Sequence, residues 1–184
     1  MAEQYGSSKI VVLEYHSGDE FSNSKSEERA KWYSVRGFPT AKFDGVKSQV
    51  GASEDVSSQY KPIIDSELAN SALLTISLSG VIGAENGQIK ATITPVTMLP
   101  ESNLTLNWVV YEDNLSVKGK SKRVVVRDVL SSDNLTVNNK QPINMSKTFA
   151  LNPTWNHANV GLVVFVQDNN TKKVLQTAVF KAGK

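Results

Sequence analysis

The sequence predicts an α+β chain in two parts, an α/β unit over residues 1–72 and an all-β sandwich over residues 73–184. Two observations carry this reading. Ahead of residue 72, short apolar runs alternate with segments of helical spacing. Beyond it, β-rich runs follow one another with Asn, Gly, Ser and Asp between them. A chain of 184 residues has room for two small domains, since domains commonly run to roughly 100–150 residues.

In the first part, "KIVVLEYH" (9–16) is a nearly continuous apolar run, the character of a buried strand in a mainly parallel sheet. After the polar "SGDEFSNS", Ser24 and Glu27 have capping-box spacing, so "KSEERAKWYS" reads as a short helix with Ala30 and Tyr33 on its inner face and Gly37 ending it. "TAKFDG" (40–45) and "VKSQVG" (46–51) read as an antiparallel hairpin about Asp44-Gly45. A last helix is expected from Ser53, with Glu54 and Asp55 in the first turn, where the helix dipole favours acids. Val56, Tyr60, Ile63, Ile64 and Leu68 recur at helical spacing as an inward face, and Pro62 predicts a kink or restart. The strands flanking the first helix are expected to be parallel, joined by a right-handed crossover.

In the second part, "LLTISLSGVI", "GQIKATITPVTM", "NLTLNWVVYED", "SKRVVVRDVL", "PINMSKTFAL", "NVGLVVFVQD" and "KVLQTAVFKA" are candidate strands, mostly alternating in character. Their turns carry Asn86-Gly87, Pro100, Asn114, Gly119, Asn138-Asn139 and Asn169-Asn170. Seven short strands at this spacing are the signature of an immunoglobulin- or fibronectin-like sandwich, with a barrel or another two-sheet topology as the alternative.

Composition narrows function. The net charge is +2, and the basic cluster "KGKSKR" (118–123) reads as a solvated hairpin loop, so nucleic acid is not an expected partner. No apolar run approaches the roughly 20 residues that cross a bilayer, and "MAEQYGSSK" lacks a signal-peptide profile. The absence of cysteine removes disulfides, thiolate metal sites and thiol catalysis. Phosphate loops, nucleophile elbows and zinc spacings are absent too, so neither a cofactor nor a metal is expected.

The stretch "YSVRGFPTAKFDG" (33–45) resembles the thioredoxin-fold segment in which a helix ends in an aromatic residue and a Val-Arg-Gly turn leads to a cis-proline followed by Thr. On a longer scale, "VVLEYHSGDEFSN", "ERAKWYSVRGFPTAKFDG", "LNWVVYEDNL", "VVVRDVL" and "VVFVQDNNTKKVLQTAVF" resemble successive landmarks of bacterial envelope proteins related to the outer-membrane-protein-28 group. Those proteins follow a thioredoxin-like domain with an all-β domain. The resemblance implies that Pro39 is the cis-proline and that Gly37, Phe38, Pro39 and Thr40 form the loop where thioredoxin folds receive an extended peptide. It implies an extracytoplasmic protein, in the periplasm, outer membrane or cell surface, with an envelope protein or extended peptide as partner. It also implies a Cys-x-x-Cys strand and helix ahead of "KIVVLEYH". Only "MAEQYGSS" precedes that run here, so the expectation is a truncated thioredoxin-like unit whose redox half lies upstream or has been lost.

Further candidates come from the residues themselves. Glu14, His16, Asp19 and Glu20 combine an imidazole with carboxylates and would suit an oxygen-rich metal site or an acid–base pair. The plainer reading is a strand-end histidine hydrogen-bonded to its loop. Trp155 and His157 lie in "NPTWNHANVG", either a Trp-anchored turn or, with an exposed ring, a glycan platform. "QDNNTKK" and "YEDN" lack calcium-loop spacing. Asn103, Asn114, Asn134, Asn144 and Asn169 head Asn-x-Ser/Thr sequons, which a bacterial origin makes incidental. The expected function is non-catalytic binding or assembly at the envelope. The alternatives are a fragment of a thiol–disulfide oxidoreductase and a glycan-binding sandwich module.

Overall fold

The computed structural model describes residues 2–6, 8–51, 55–99, 103–117, 120–137 and 141–182. Most of the regular structure is antiparallel β-sheet, and all seven strands expected after residue 72 are present. One sheet has the order β10 (Ile143–Ala150), β4 (Asn86–Pro95), β3 (Leu74–Ile82). The other runs β12 (Val174–Lys181), β11 (Val160–Asp168), β5 (Leu104–Glu112), β8 (Val125–Val129), and the short β9 (Asp133–Leu135) also pairs with β5. A small hairpin, β6 (Leu115–Val117) with β7 (Lys120–Lys122), and β9 are strands that sequence patterning did not separate from loop.

The two sheets face each other across one core. From β4 come Ile89, Ala91 and Ile93, whose alternation with exposed neighbours marks a sheet with one wet face. From β5 and β11 come Leu106, Trp108, Val110, Leu162, Val164 and Val166. The indole N–H of fully buried Trp108 donates to Asp133 Oδ2 at 2.7 Å, and Lys147 Nζ lies 2.8 Å from the same oxygen, so the ring's polar end is satisfied at the core margin. The residues between them in β5 and β11 do not face water. Val109, Tyr111, Val163 and Phe165, with Val126 of β8, form a second cluster on the outer face. Gly161 is fixed by this face, because a Cβ there would sit 2.3 Å from the Tyr111 ring.

The outer cluster is covered by the N-terminal part, where several expectations change. Residues 9–16 do not form a strand beside β1 (Thr40–Phe43). They run extended along the sandwich and pair only at Glu14, by a parallel bridge to Val125 of β8, while Val11, Leu13 and Tyr15 pack on the outer cluster. The apolar run found its cover on the neighbouring sheet, so the expected parallel pair around the first helix is not made.

Besides a short N-terminal turn, α1 (Ala2–Tyr5), the part holds α2 (Ser24–Trp32) and α3 (Val56–Leu68). The cap of α2 is Asn23, whose side chain accepts from Ser26 N–H, one residue ahead of the expected Ser24. The helix ends before Gly37. Ser34 takes a positive φ of 56°, and the Ser34 and Val35 N–H groups close back on the Lys31 and Ala30 carbonyls, a Schellman arrangement built without glycine. The hairpin of β1 with β2 (Lys47–Val50) forms as expected, with Asp44 and Gly45 at positive φ and Val46 completing the turn. Asp55 caps α3 by accepting from Ser58 N–H, and the helix continues through Pro62 without a restart.

The inward face expected on α3 is only half-buried, with Leu68 40% exposed. Asn86 and Gly87 lie inside β4, and the turn falls at 83–85. Gly87 is needed for packing, since a Cβ there would meet the Phe149 ring at 2.3 Å. The expected helix start at Ser53 with Glu54, and the turns at Pro100, Gly119 and Asn138-Asn139, lie outside the described residues.

Candidate functional site

The N-terminal part covers the outer cluster but does not fill all the space between itself and the sandwich. Between the two lies a cleft of about 1930 Å³. Its floor is the outer face of the five-stranded sheet, with Val163, Phe165 and Val179. Its walls are the 8–17 segment, the Phe38–Gly45 stretch, and the side of α3 bearing Tyr60 and Ile64. Two of the three groups of candidate site residues border this space, Glu14, His16 and Asp19 along one wall and Phe38, Pro39 and Thr40 along another, while Trp155 and His157 lie outside it.

At the second of these walls the Phe38–Pro39 peptide is cis, and Phe38 stands 64% exposed. Thr40 Oγ donates to the Gly37 carbonyl at 2.6 Å, which ties the loop to the start of β1. Gly51 N–H donates to the Pro39 carbonyl at 2.8 Å, so the hairpin ladder begins immediately after the proline.

At the first wall, His16 is held between two carboxylates. Its Nδ1 lies 2.6 Å from Asp19 Oδ2 and its Nε2 3.3 Å from Glu14 Oε2. Only an imidazolium has N–H groups on both nitrogens, so the protonated ring serves both partners and the neutral ring serves one. The bond from His16 holds the Asp19 carboxyl below its ordinary range. This is the loop-bonded histidine of the plainer reading, extended by a second carboxylate. Glu20 is not part of the pair of contacts, and among the described residues no set of three His, Asp or Glu converges as metal ligands.

Sequence reasoning missed what joins this corner to Trp155. The His16 ring meets Phe21 edge-on at 5.4 Å, and Arg127 from β8 lies over both Phe21 and Trp155, 5.4 Å from each centroid. Glu112, 3% exposed, lies 3.5 Å from Arg127 Nε and accepts from Asn156 N–H at 2.8 Å. A sugar platform requires an open ring face. Trp155 is half-buried against the inter-sheet core with Arg127 over its ring, which makes it the Trp-anchored turn. His157 is occupied locally, its Nε2 3.2 Å from the Asn152 carbonyl.

A second unforeseen group fastens α2 to the sandwich. Gln167 is fully buried near the end of β11. Its amide N–H groups donate to Tyr33 Oη and to the Lys172 carbonyl, both at 2.6 Å, and its Oε1 accepts from Arg29 Nη2 at 2.8 Å. The Arg29 guanidinium also lies over the Phe165 and Tyr33 rings, 5.0 and 5.1 Å from their centroids. Beside it the Tyr15 hydroxyl is enclosed without a partner, and burial pushes its pKa up to about 12. The available signal was Gln167 itself, a polar residue inside an otherwise apolar strand.

No protein-family model matches the sequence, and no curated protein matches it. Solved structures do share the fold. HBP35 of Porphyromonas gingivalis is similar over 92% of this chain, with a TM-score of 0.77 and 16% identity; the chain spans 62% of the HBP35 chain. A protein from Agrobacterium tumefaciens is similar over 94% of this chain and 78% of its own, with a TM-score of 0.56 and 14% identity. A domain of the outer membrane lipoprotein Omp28 from Porphyromonas gingivalis aligns over 61% of this chain and 90% of its own, with a TM-score of 0.46 and 15% identity. No helix among the described residues is long and apolar enough to cross a membrane. The chain therefore carries a β-rich fold shared, across nearly its whole length, with bacterial proteins of very different sequence.

Proposed function

We propose that this chain is a non-catalytic bacterial envelope or surface protein that binds or assembles with another polypeptide. The observation that carries the reading is the cleft of about 1930 Å³ lined by backbone segments and apolar side chains. Small-molecule pockets are commonly about 300–1,000 Å³, so this one suits a stretch of polypeptide better. The sequence landmarks 11–23, 28–45 and 163–180 support an extracytoplasmic place for it. In this reading residues 1–72 belong to a thioredoxin-like unit that contributes its peptide-receiving loop and rests on a sandwich domain of residues 73–184. Thiol–disulfide exchange needs a thiolate, which a chain without cysteine does not supply.

The test is in-cell photocrosslinking from position 38, whose side chain is solvent-facing at the cleft rim. Adducts with an extracytoplasmic polypeptide are the expected result. Adducts confined to cytoplasmic proteins, or none at all, would remove the reading.

A further inference from the structure

We propose that the corner of the molecule where α2 ends is a docking surface for an acidic segment of the partner polypeptide, whose carboxylates are held by Lys31, Arg36 and Lys42. This rests on the polypeptide-binding reading above and gives that partner a charge and a seat.

The argument is one of uncompensated charge. The stretch 29–43 holds four basic residues, Arg29, Lys31, Arg36 and Lys42, and no acidic one. The fold gathers them and adds a fifth. Trp32 and Tyr33, at the end of α2, meet edge-on with their ring centroids 4.8 Å apart. Around this pair stand Lys172 Nζ, 5.2 Å from the Trp32 centroid, Lys42 Nζ, 5.8 Å from that of Tyr33, and the Arg29 guanidinium, 5.4 and 5.1 Å from the two. Lys25, Lys47, Arg127 and Lys147 each stand beside a carboxylate. Among the described residues, no carboxylate forms an ion pair with any of the five at this corner. These five exceed the net charge of +2, so the remainder of the chain is net acidic and the positive field is concentrated here.

The end of α2 accounts for only part of this charge. A helix C-terminus carries about half a negative charge, and Lys172 answers it directly, its Nζ donating to the Trp32 carbonyl at 2.6 Å. Arg29 is held by Gln167. Lys31, Arg36 and Lys42 remain, all three exposed. The Arg36 guanidinium is a planar fork that matches a carboxylate through two parallel hydrogen bonds, and Phe38, 64% exposed and two residues further on, supplies an apolar contact beside it. A lipid surface would need an apolar face to bury in the bilayer. The Trp32 and Tyr33 rings are half-buried and already carry cations, so the corner has little apolar surface to insert.

The probe is a fluorescein-labelled twelve-residue peptide of glutamate and serine with one central phenylalanine, paired with its glutamine counterpart. The full chain is expected to bind the glutamate peptide saturably, at least about tenfold more tightly than the glutamine one, and more weakly as salt rises. The double variant Arg36→Gln with Lys42→Gln is expected to lose about tenfold or more of this affinity. Lys90→Gln with Lys181→Gln removes the same charge from two exposed positions elsewhere and is expected to change binding by less than about twofold. Equal losses in the two double variants, equal binding of the two peptides, no saturable binding, or tighter binding to phosphatidylglycerol vesicles than to the glutamate peptide would each overturn the proposal. Crosslinking from position 38 separates this seat from the reading it rests on, because adducts with another polypeptide are expected to fall in the Arg36→Gln with Lys42→Gln variant. Adducts that persist unchanged there would leave the proposed function standing and this seat rejected. Adducts confined to the same chain would assign the corner to the protein's own fold and overturn the proposal as well.

Discussion

In β5 every residue from Leu104 to Glu112 is buried, whereas in α3 none is, although both segments carry apolar residues at the positions their periodicity assigns to a core. In β5 alternate residues enter two different clusters, Leu106 and Trp108 between the sheets and Val109 and Tyr111 under the N-terminal part. In α3 the apolar face meets Phe43, whose ring lies 5.1 Å from that of Tyr60, and otherwise borders the cleft. Periodicity states which face of an element is apolar; whether something covers it depends on what else is packed there.

Substitutions separate the two situations. Trp108→Ala is expected to cost roughly 3–5 kcal/mol, the range for a buried aromatic, measured as a lower denaturation midpoint with unchanged slope. A loss under about 1 kcal/mol would mean the inter-sheet core is not the main source of stability. The next effect is alkaline. Burial raises the Tyr15 and Tyr111 hydroxyls to about 12, against about 10 in an unfolded chain. Because the folded value is the higher one, their contribution is intact below about pH 10 and is lost as pH climbs through about 12. Absorbance at 295 nm should therefore show Tyr15 and Tyr111 ionising late, with Tyr5 also delayed by its bond to Asp65, and ionisation of Tyr15 near its ordinary value would show that the wall beside Arg29 is open to water.

Gln167→Leu keeps the side chain's bulk and deletes its bonds to Tyr33, Arg29 and the Lys172 carbonyl. We expect about 1–3 kcal/mol, with faster amide exchange in α2 and little change in β4. The smallest effect belongs to Ile64→Ala. A fully buried isoleucine truncated to alanine costs roughly 2–5 kcal/mol, but a half-buried one on the cleft should cost under about 1 kcal/mol. A loss of the larger size would mean that α3 closes over the cleft in solution.

The sandwich was legible because its strands are separated by turn-forming residues and because each is long enough to show its composition. The first helix and the Asp44-Gly45 hairpin of the N-terminal part were readable for the same reason. What patterning could not give was partnership. The run 9–16 has the composition of an interior strand, yet it lies half-exposed along β8, while β5 and β11, which do have both faces covered, owe this to a layer more than sixty residues away in sequence. Glu14, His16 and Asp19 are neighbours in the chain, so their clustering was within reach of sequence reasoning. Arg127, Glu112 and Gln167 enter the site from the sandwich, and no local signal links them to it.

One clearance of a single atom has a wider meaning for how this chain tolerates change. Gly45 has φ +76°, and a Cβ there would fall 2.0 Å from the Lys172 carbonyl oxygen, while the neighbouring Asp44 carbonyl accepts from Val174 N–H at 2.8 Å. The tip of the β1–β2 hairpin and the tip of the β11–β12 hairpin are thus fitted together backbone to backbone, with the buried Gln167 amide alongside, 3.1 Å from where that Cβ would fall and already bonded to the Lys172 carbonyl. Drift elsewhere on the hairpin can be matched by repacking, but a residue larger than glycine at 45 would have to displace main chain in both regions at once. The seam between the two regions therefore leaves the sequence little freedom at residue 45, even though neither core lies there.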